Sequence, residues 1–224
     1  GVYDLHAPES RKSQEADAGV QALIKSGLDE PALAEYFKAI RAVRGDRLGR
    51  YPGSPALIGA TLRAGDRAEF VEIMPAEARA VLREISSAGK LHTHIGDGYE
   101  QLKAQLPPRE RRGLVLIDPP YEDADEVKKL LVALADAHAR WPTGVYMIWY
   151  PIRSAELRRS IHARMQGLRI PKMMFADLAV HPDDAGIGLA GSGLILVNAP
   201  YGLEPQLRDA YDAIHRHLAN AGGY

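Results

Sequence analysis

Hydrophobic and polar positions alternate between two periods along the chain, and this alternation predicts a mixed α/β fold. Apolar residues recur at helical spacing in several segments, the clearest being "ALAEYFKAIRAVR", "PAEARAVLREI", "DADEVKKLLVALADAHARW", "SAELRRSIHARMQG" and "LEPQLRDAYDAIHRHLA". Between them lie apolar runs of strand length, namely "RAEFVEI", "KLHTHI", "GLVLI", "GVYMIWYPI", "KMMFADLAV" and "GSGLILV". Ser54 is predicted to cap the helix that follows it, with Pro55 in the first helical position.

Strands that alternate with helices predict a mostly parallel sheet covered by helices on both faces. Right-handed crossovers then place the carboxyl ends of the strands at one edge, where ligands bind in such sheets. Three acids follow successive strands: Glu72 after "RAEFV", Asp97 after "LHTHIG" and Asp118 after "GLVLI". The pattern therefore predicts a pocket with a rim of carboxylates. Because "GLVLI" is apolar throughout, both faces of that strand are expected to be covered.

Composition narrows the possible classes of protein. The 224 residues, 46% of them hydrophobic, are enough for one sizeable α/β domain with or without an insertion. A net charge of -1 excludes a global basic field, so a nucleic-acid partner requires local clusters of cations. The absence of cysteine excludes disulfides and thiolate metal sites and fits a reducing cytoplasm. No apolar run approaches the roughly 20 residues of a membrane span.

The stretch "LVLIDPPY" carries the most specific chemistry. Asp118 would emerge at the carboxyl end of a central strand, and Pro119 and Pro120 would stiffen the turn without adding N–H donors. Tyr121 would place a flat ring beside the free carbonyls. A carboxylate, a carbonyl and an aromatic ring are what the exocyclic amine of a nucleobase needs for binding. The alternative is a turn that merely ends a strand, and the two other acids at strand ends argue against it.

Several motifs together resemble one enzyme family. "IDPPY" resembles the Asp-Pro-Pro-Tyr type of motif found in adenosylmethionine-dependent amino-methyltransferases. With "RYPGSP", "FVEIMP", "GDGYEQLKAQLPP", "TGVYMIWYPI" and "SGLILVNAP", the chain is similar to the bacterial large-subunit ribosomal RNA adenine-N6 methyltransferase J family. The resemblance runs in order over nearly the whole chain. It implies methyl transfer from S-adenosyl-L-methionine to N6 of one adenosine in 23S ribosomal RNA.

The resemblance also implies a fold and a division of the chain. The expected fold is a Rossmann-like class I methyltransferase sheet with an inserted helical subdomain near the N-terminus. Residues 1–50 would comprise the remnant of a cofactor loop and the insertion, and residues 51–224 the methyltransferase domain. The implied protein is a cytoplasmic monomer that needs neither a membrane nor a metal.

Catalytic and cofactor roles carry over from the family to matching positions. Asp118 matches the catalytic acid and also lies against the cofactor, with Pro119, Pro120 and Tyr121 completing the catalytic motif. Glu72 matches the acid that holds the cofactor's ribose hydroxyls, and an acid after the second strand of such a sheet suits a diol.

The remaining cofactor positions concern the adenine and methionine ends. Asp97 and Gly98 match the pair that reads the adenine, since a glycine lets backbone approach a flat base. Ser54 matches a polar residue near the methionine. Of the family's glycine-rich cofactor loop only the last glycine remains, as Gly1, so the chain is expected to be part of a longer protein. Whether it binds the cofactor by itself stays open.

Other interpretations remain open at this stage. The motif does not separate RNA from DNA, and a non-catalytic nucleic-acid-binding role in the use of external DNA is a further alternative. Arg44, Arg47 and Arg50 are candidate contacts to RNA backbone. The cations in "PPRERRG", at residues 107–113, are interpreted as a solvated charge run at the edge opposite the pocket. Residues 181–193 form a polar loop that is either a flap or a long hairpin.

Overall fold

The structure is a computed structural model, and it describes residues 2–4, 19, 22–25, 30–44, 50–85, 87–123, 125–182 and 189–221. The chain divides into two compact units, Gly1–Gln101 and Leu102–Tyr224. Helices and strands alternate in both units, so the predicted mixed α/β character is confirmed. The predicted boundary between residues 50 and 51 stays a prediction.

The first unit contains two small sheets and the helices between their strands. Its elements are β1 (Val2–Asp4), α1 (Ala22–Lys25), a 3-10 turn (Pro31–Leu33), α2 (Ala34–Arg44), β2 (Arg50–Pro52), α3 (Ser54–Thr61), β3 (Arg67–Glu72), α4 (Pro75–Glu84), β4 (Lys90–Ile95) and α5 (Gly98–Gln105), which runs into the second unit. Strands β1 and β2 pair antiparallel. Strands β3 and β4 pair parallel, with Glu72 opposite Ile95 at the carboxyl end.

Local signals set several helix starts in this unit, and one prediction about them is wrong. Proline stands in the first turn of both α3 and α4, where its fixed φ angle suits the helix and its missing N–H costs nothing. Ser54 was predicted to cap α3, but Gly53 holds that position in an extended conformation and no side chain caps the helix. Ser54 is instead the first helical residue, and it is exposed.

The second unit is built on one four-stranded sheet. Its elements are β5 (Leu114–Ile117), α6 (Glu126–Arg140), β6 (Val145–Ile152), α7 (Ala155–Gly167), β7 (Met173–Ala179), β8 (Gly191–Val197) and α8 (Leu203–Ala221). The strand order is β5-β6-β8-β7. Helix α7 begins after Ser154, whose hydroxyl accepts a hydrogen bond from the Leu157 N–H at 3.1 Å and so satisfies an otherwise unpaired donor.

The prediction of a mostly parallel sheet is wrong for the second half of this sheet. Strand β6 is parallel to β5, but β8 runs antiparallel to both β6 and β7. The cause is that β7 returns directly as β8 in a long hairpin, one of the two alternatives for residues 181–193, rather than through a crossover helix. The residues 183–188 at its tip lie outside the described part. The expectation that β5 is covered on both faces also fails, because Leu114 is 54% exposed.

Strand β6 forms the core of the second unit. Tyr146, Ile148, Tyr150 and Ile152 alternate along it and are fully buried. On the helices that cover this face, Leu134 and Met165 are equally buried. Such a continuous dry face explains why β6 reads as an apolar run in the sequence.

A polar network crosses the sheet where β8 carries a glycine. Gly193 lies between Tyr150 on β6 and Asp177 on β7 in the strand register. A β-carbon at Gly193 would overlap the Tyr150 ring, so glycine leaves the space in which that ring lies across β8. The Tyr150 hydroxyl thereby donates to Asp177 Oδ1 and lies 2.5 Å from Nε2 of His162 on α7. These bonds satisfy a hydroxyl that has no access to water.

None of the described helices combines the length and the apolar character that a membrane crossing requires. The predicted RNA contact at Arg44, Arg47 and Arg50 stays a prediction. The described part does not include Arg47 or the side chains of Arg44 and Arg50.

We predict that Gly193→Ala lowers the free energy of unfolding by about 2–4 kcal/mol, because the new methyl group displaces the Tyr150 ring and weakens its hydrogen bond to Asp177. Urea denaturation followed by circular dichroism measures the change. Gly167→Ala, at the end of α7 with nothing within 4 Å of the new carbon, is the matched control. Equal effects of the two substitutions would contradict the proposed packing of Tyr150 over Gly193.

Candidate functional site

The turn that follows β5 places four of the predicted site residues side by side. Ile117 is buried and pairs with Ile148 of β6, so the chain leaves the core just before Asp118. Asp118 is exposed, Pro119 is buried, and Pro120 is exposed again. Because neither proline carries an N–H group, the turn presents acceptors without donors.

Tyr121 is held by the neighbouring strand. Its hydroxyl donates to the backbone carbonyl of Trp149 at 2.6 Å, and its ring meets the Trp149 ring edge to face at 6.0 Å between centroids. Its φ angle is 53°, a left-handed conformation that is rare for a large side chain. Strain of this kind persists where the surroundings impose it, and it is concentrated at functional sites. The aromatic ring beside Asp118 is therefore fixed in orientation.

The electrostatics of the turn single out Asp118. Burial raises the pKa of its carboxyl group above the ordinary value, although much of the residue is open to solvent. The carboxylate is thus crowded by protein on one side and accessible on the other. No hydrogen bond or ion pair from the described residues reaches it. Burial, followed by the charges of Asp118 and Glu126, also raises the pKa of Tyr121.

Glu126 is a residue of this site that the sequence analysis did not predict. It stands in the first turn of α6 and is 6% exposed, the one buried charged residue in the described chain. Acids are common in the first turn of a helix, where they suit its positive end, so the position of Glu126 gives no functional signal in the sequence. Glu126 is assigned to the site because its charge contributes to the raised pKa of Tyr121.

In the first unit, the structure brings Glu72 and Asp97 to the same end of the β3–β4 pair. The Gly96 N–H donates to the Glu72 carbonyl at 3.1 Å, so Asp97 follows directly beside the end of β3. Glu72 Oε1 accepts from the Met74 N–H at 3.0 Å. Asp97 Oδ1 accepts from the N–H groups of Tyr99 and Glu100, and Asp97 thereby caps α5.

The other predicted cofactor positions are more scattered. Gly98 is exposed, and a β-carbon built on it would meet no atom within 4 Å, so a flat ligand has room there. Ser54 stands at the start of α3. Gly1 lies outside the described residues. Each of these positions belongs to the first unit, whereas Asp118 and Tyr121 belong to the second.

The two histidines on β4, His92 and His94, do not form a metal site with Glu69 on the adjacent strand. His94 Nε2 lies 2.8 Å from Glu69 Oε2 on the adjacent strand, while His92 is exposed. Among the described residues, no three His, Asp or Glu side chains come together in a way that could hold a metal ion.

Comparison with known proteins places this geometry in context. A family model described as "Ribosomal RNA large subunit methyltransferase D, RlmJ" matches residues 1–224. The chain is 34% identical to "Ribosomal RNA large subunit methyltransferase J" of Haemophilus influenzae over an alignment of length 224 that covers 99% of this chain and 80% of that protein. The protein of the same name from Escherichia coli K12 is 33% identical, with the same shares covered.

A solved structure agrees with these matches. Protein LPL1258 from Legionella pneumophila superposes with a TM-score of 0.87 at 29% identity. The superposition covers 98% of this chain and 80% of that protein. The order of helices and strands described above is therefore shared with a solved structure over nearly the whole chain.

We predict that Asp118→Asn raises the free energy of unfolding at pH 7 and leaves it unchanged at pH 3. The folded pKa of Asp118 is raised, so its ionised form costs stability once the pH exceeds the unfolded pKa, whereas below that pKa both states are protonated. Urea denaturation at the two pH values measures the difference.

Asp123→Asn is the matched control, with the opposite sign expected. A hydrogen bond from Lys129 lowers the pKa of Asp123, so this carboxylate stabilises the fold at neutral pH and ceases to do so as the pH falls through its folded pKa. The control variant should be slightly less stable than the wild type at pH 7. Destabilisation by Asp118→Asn at pH 7 would show that burial does not penalise the Asp118 charge.

Proposed function

We propose a specific reaction for this protein, which belongs to the ribosomal RNA large subunit methyltransferase D (RlmJ) family. The reaction is the transfer of a methyl group from S-adenosyl-L-methionine to N6 of an adenosine in 23S ribosomal RNA in the cytoplasm. The observation that carries the proposal is the Asp118–Tyr121 turn, in which an accessible carboxylate stands beside an aromatic ring fixed on Trp149. The relatives' names support the same substrate class.

Asp118 and Pro119 would hold the amine of the target adenosine. An exocyclic amine has two N–H bonds, and the Asp118 carboxylate and the Pro119 carbonyl offer one acceptor to each. Held in this way, the nitrogen lone pair can leave conjugation with the ring and turn toward the methyl donor. The carboxylate also stabilises the positive charge that grows on N6. The raised pKa of Asp118 makes it a better acceptor for the proton that N6 must lose.

Tyr121 would stack on the adenine. Its hydroxyl is already bound to the Trp149 carbonyl, so the ring cannot swing away when a base arrives. A ring fixed before binding loses less conformational entropy on binding than a mobile one. The adenosine must lie in a loop or be flipped out of a helix, since the amine is not accessible in a paired base.

Residues of the first unit would hold the cofactor, and their chemistry fits it. When bound, S-adenosyl-L-methionine supplies the electrophilic methyl group. Glu72 Oε1 is fixed by the Met74 N–H, which orients the carboxylate so that Oε2 can accept from a ribose hydroxyl. The open space at Gly98 suits the adenine, and Asp97 would fix the turn that exposes this glycine. Ser54 and Gly1 would lie near the methionine, and Asp118 near the transferred methyl group.

The fold supports a Rossmann-like class I methyltransferase. In the first unit the parallel β3–β4 pair supports this assignment, and in the second unit the β5-β6-β8-β7 order with its antiparallel β8 does so independently. Helices α1 and α2, before residue 50, would form the inserted helical subdomain. Residues 51–224 would then make up the methyltransferase domain, acting as a monomer without a metal.

The test is a methylation assay with radiolabelled cofactor, using the protein expressed from its complete gene. Protein-free 23S ribosomal RNA and duplex DNA are offered separately, and the labelled nucleoside is identified after digestion. Label on N6-methyladenosine in the RNA supports the proposal. Label only in DNA would replace the substrate, and no label in either would remove the enzymatic function.

We predict that Asp118→Ala lowers kcat on 23S ribosomal RNA by about 10²–10⁴-fold, because it removes an acceptor for the amine and the stabilisation of its developing charge. Circular dichroism should be unchanged, since the residue is exposed. The control is Asp123→Ala, an exposed acid on the same loop, for which near-normal turnover is expected. Retained activity in the Asp118 variant would remove this residue from the mechanism.

We predict that Glu72→Gln weakens the binding of S-adenosyl-L-methionine by roughly 10–100-fold, the cost of losing one hydrogen bond to a charged group. Isothermal titration calorimetry measures the dissociation constant. The matched control is Glu77→Gln, which removes an exposed charge from the first turn of α4. An unchanged dissociation constant in the Glu72 variant would argue against its ribose role without affecting that of Asp118.

A further inference from the structure

One edge of the four-stranded sheet lies away from the Asp118 turn and is here called the amino edge. It is the edge at which β5, β6 and β7 begin and β8 ends, with the loops 106–113, 141–144, 168–172 and 198–202. Hydrogen bonds join these loops in a row. Val145 N–H donates to Gly113 at 3.3 Å, Asn198 Nδ2 donates to Gly144 at 2.8 Å, and Asn198 N–H donates to Lys172 at 3.2 Å.

The amino edge concentrates positive charge. Exposed cations occupy its first and third loops, and they are Arg109, Arg111, Arg112, Arg169 and Lys172. No described residue forms an ion pair with any of the five. The first loop also contains one acid, Glu110, so the edge retains a clear positive excess in a chain whose net charge is -1. In such a chain a local cluster is the place where a polyanion binds.

The backbone of the amino edge is held in unusual conformations. Arg111, Arg169, Lys172 and Asn198 have φ angles of 59°, 55°, 54° and 55°. Among the described residues other than glycine, Tyr121 in the candidate active site alone shares this left-handed conformation. Glycine would adopt it at lower cost, so long cationic side chains here are retained against a conformational penalty.

The support beneath these loops is rigid. Trp141 is 5% exposed, and a β-carbon at Gly144 would overlap its indole ring. The Asn198 amide also donates to the Pro142 carbonyl at 2.8 Å. On the surface above, Tyr201 is fully exposed and offers a ring on which an unpaired base can stack.

We propose that the amino edge is a second contact surface for the substrate, which binds the phosphate backbone of ribosomal RNA remote from the target adenosine. The proposal rests on the proposed function and extends it. Arginine predominates among the cations, and its planar fork matches phosphate oxygens. The two cationic loops precede β5 and β7, the outer strands of the sheet, and are therefore about 14 Å apart.

The distance between the amino edge and the Asp118 turn determines whether this surface can take part in the reaction. The Asp118 turn follows β5, whose four residues separate it from Gly113 at the amino edge by roughly 16 Å. A phosphate bound at the amino edge cannot take part in the chemistry at N6. The surface would thus contribute affinity and orientation for a long RNA and would contribute nothing for a short hairpin.

The experiment compares two double variants of the protein expressed from its complete gene. Arg169→Gln with Lys172→Gln removes two charges from the amino edge, and Arg79→Gln with Arg83→Gln removes two exposed charges from α4. Each is assayed with full-length protein-free 23S ribosomal RNA and with a hairpin that carries the unmethylated target adenosine on a stem shorter than roughly 16 Å. Direct binding of the same RNAs is measured by filter retention at several salt concentrations.

We expect the amino-edge variant to raise the half-saturating concentration of full-length RNA roughly five- to twentyfold, with kcat unchanged and with a binding slope against salt that is smaller by roughly 1.4–1.8. Turnover of the trimmed hairpin should equal that of the wild type. The α4 variant should behave as the wild type on both RNAs. A third variant, Tyr201→Ala, should weaken only the binding of full-length RNA.

Three outcomes would overturn the proposal. Unchanged binding of full-length RNA, or equal losses in the α4 variant, would leave the amino edge as a solvated charge run. Weaker binding to ribosomal particles, measured by co-sedimentation, without weaker binding to protein-free RNA would identify an acidic protein surface as the partner. If the wild type methylates no RNA, the proposed function fails, and the filter-retention measurement still decides whether this edge binds RNA.

Discussion

The structure of the second unit depends on the need to satisfy two buried phenol groups on strand β6. Tyr146 and Tyr150 are fully buried, and a buried hydroxyl without a partner costs about 1–3 kcal/mol. The Tyr146 hydroxyl lies within hydrogen-bonding distance of the carbonyls of Ala137 and Trp141, and that of Tyr150 contacts Asp177 and His162. Because these bonds reach α6, α7 and β7, they fix β6 near both of its ends.

The candidate active site is built on this fixed strand. Trp149 precedes Tyr150, so its side chain points to the opposite face of the sheet, and its carbonyl lies on β6 just beyond the point where β5 ends. That carbonyl accepts the Tyr121 hydroxyl, and the position of the Asp118 turn follows from it. A rigid strand can impose the left-handed conformation on Tyr121 that an isolated turn would abandon. Precise placement of the amine is what a reaction driven by orientation requires.

Local signals in the sequence sufficed for β3 to β8, for the helices from α2 onward and for the Asp118 turn, whereas α1, the short strands β1 and β2 and several long-range features escaped them. Prolines in the first turns of α3 and α4, Ser154 before α7 and the apolar run of β6 each act within a few residues, so their elements could be predicted. The direction of β8 could not, because a long polar loop serves a hairpin and a crossover equally well. The bond from Tyr150 to Asp177 also escaped prediction, since it depends on a ring that crosses Gly193, although a glycine inside a strand is a recognisable signal of close approach. Buried Glu126 resembled any acid in a first helical turn.

In the proposed function, substrate binding and chemistry would be separated on the two edges of the same sheet. Contacts to phosphate position a nucleic acid, whereas contacts to the base decide which nucleotide reacts. In the proposed reaction the Asp118 turn would make the base contacts, and it contains two prolines and an aromatic ring with no cation among its four residues. With a net charge of -1, the chain cannot attract RNA as a whole, so the attraction must come from local surfaces such as the loops before β5 and β7. Strand β6 connects the loop after Trp141, at the amino edge, to the Trp149 carbonyl that holds Tyr121. RNA bound at the amino edge would therefore be held at a fixed distance from the Asp118 turn.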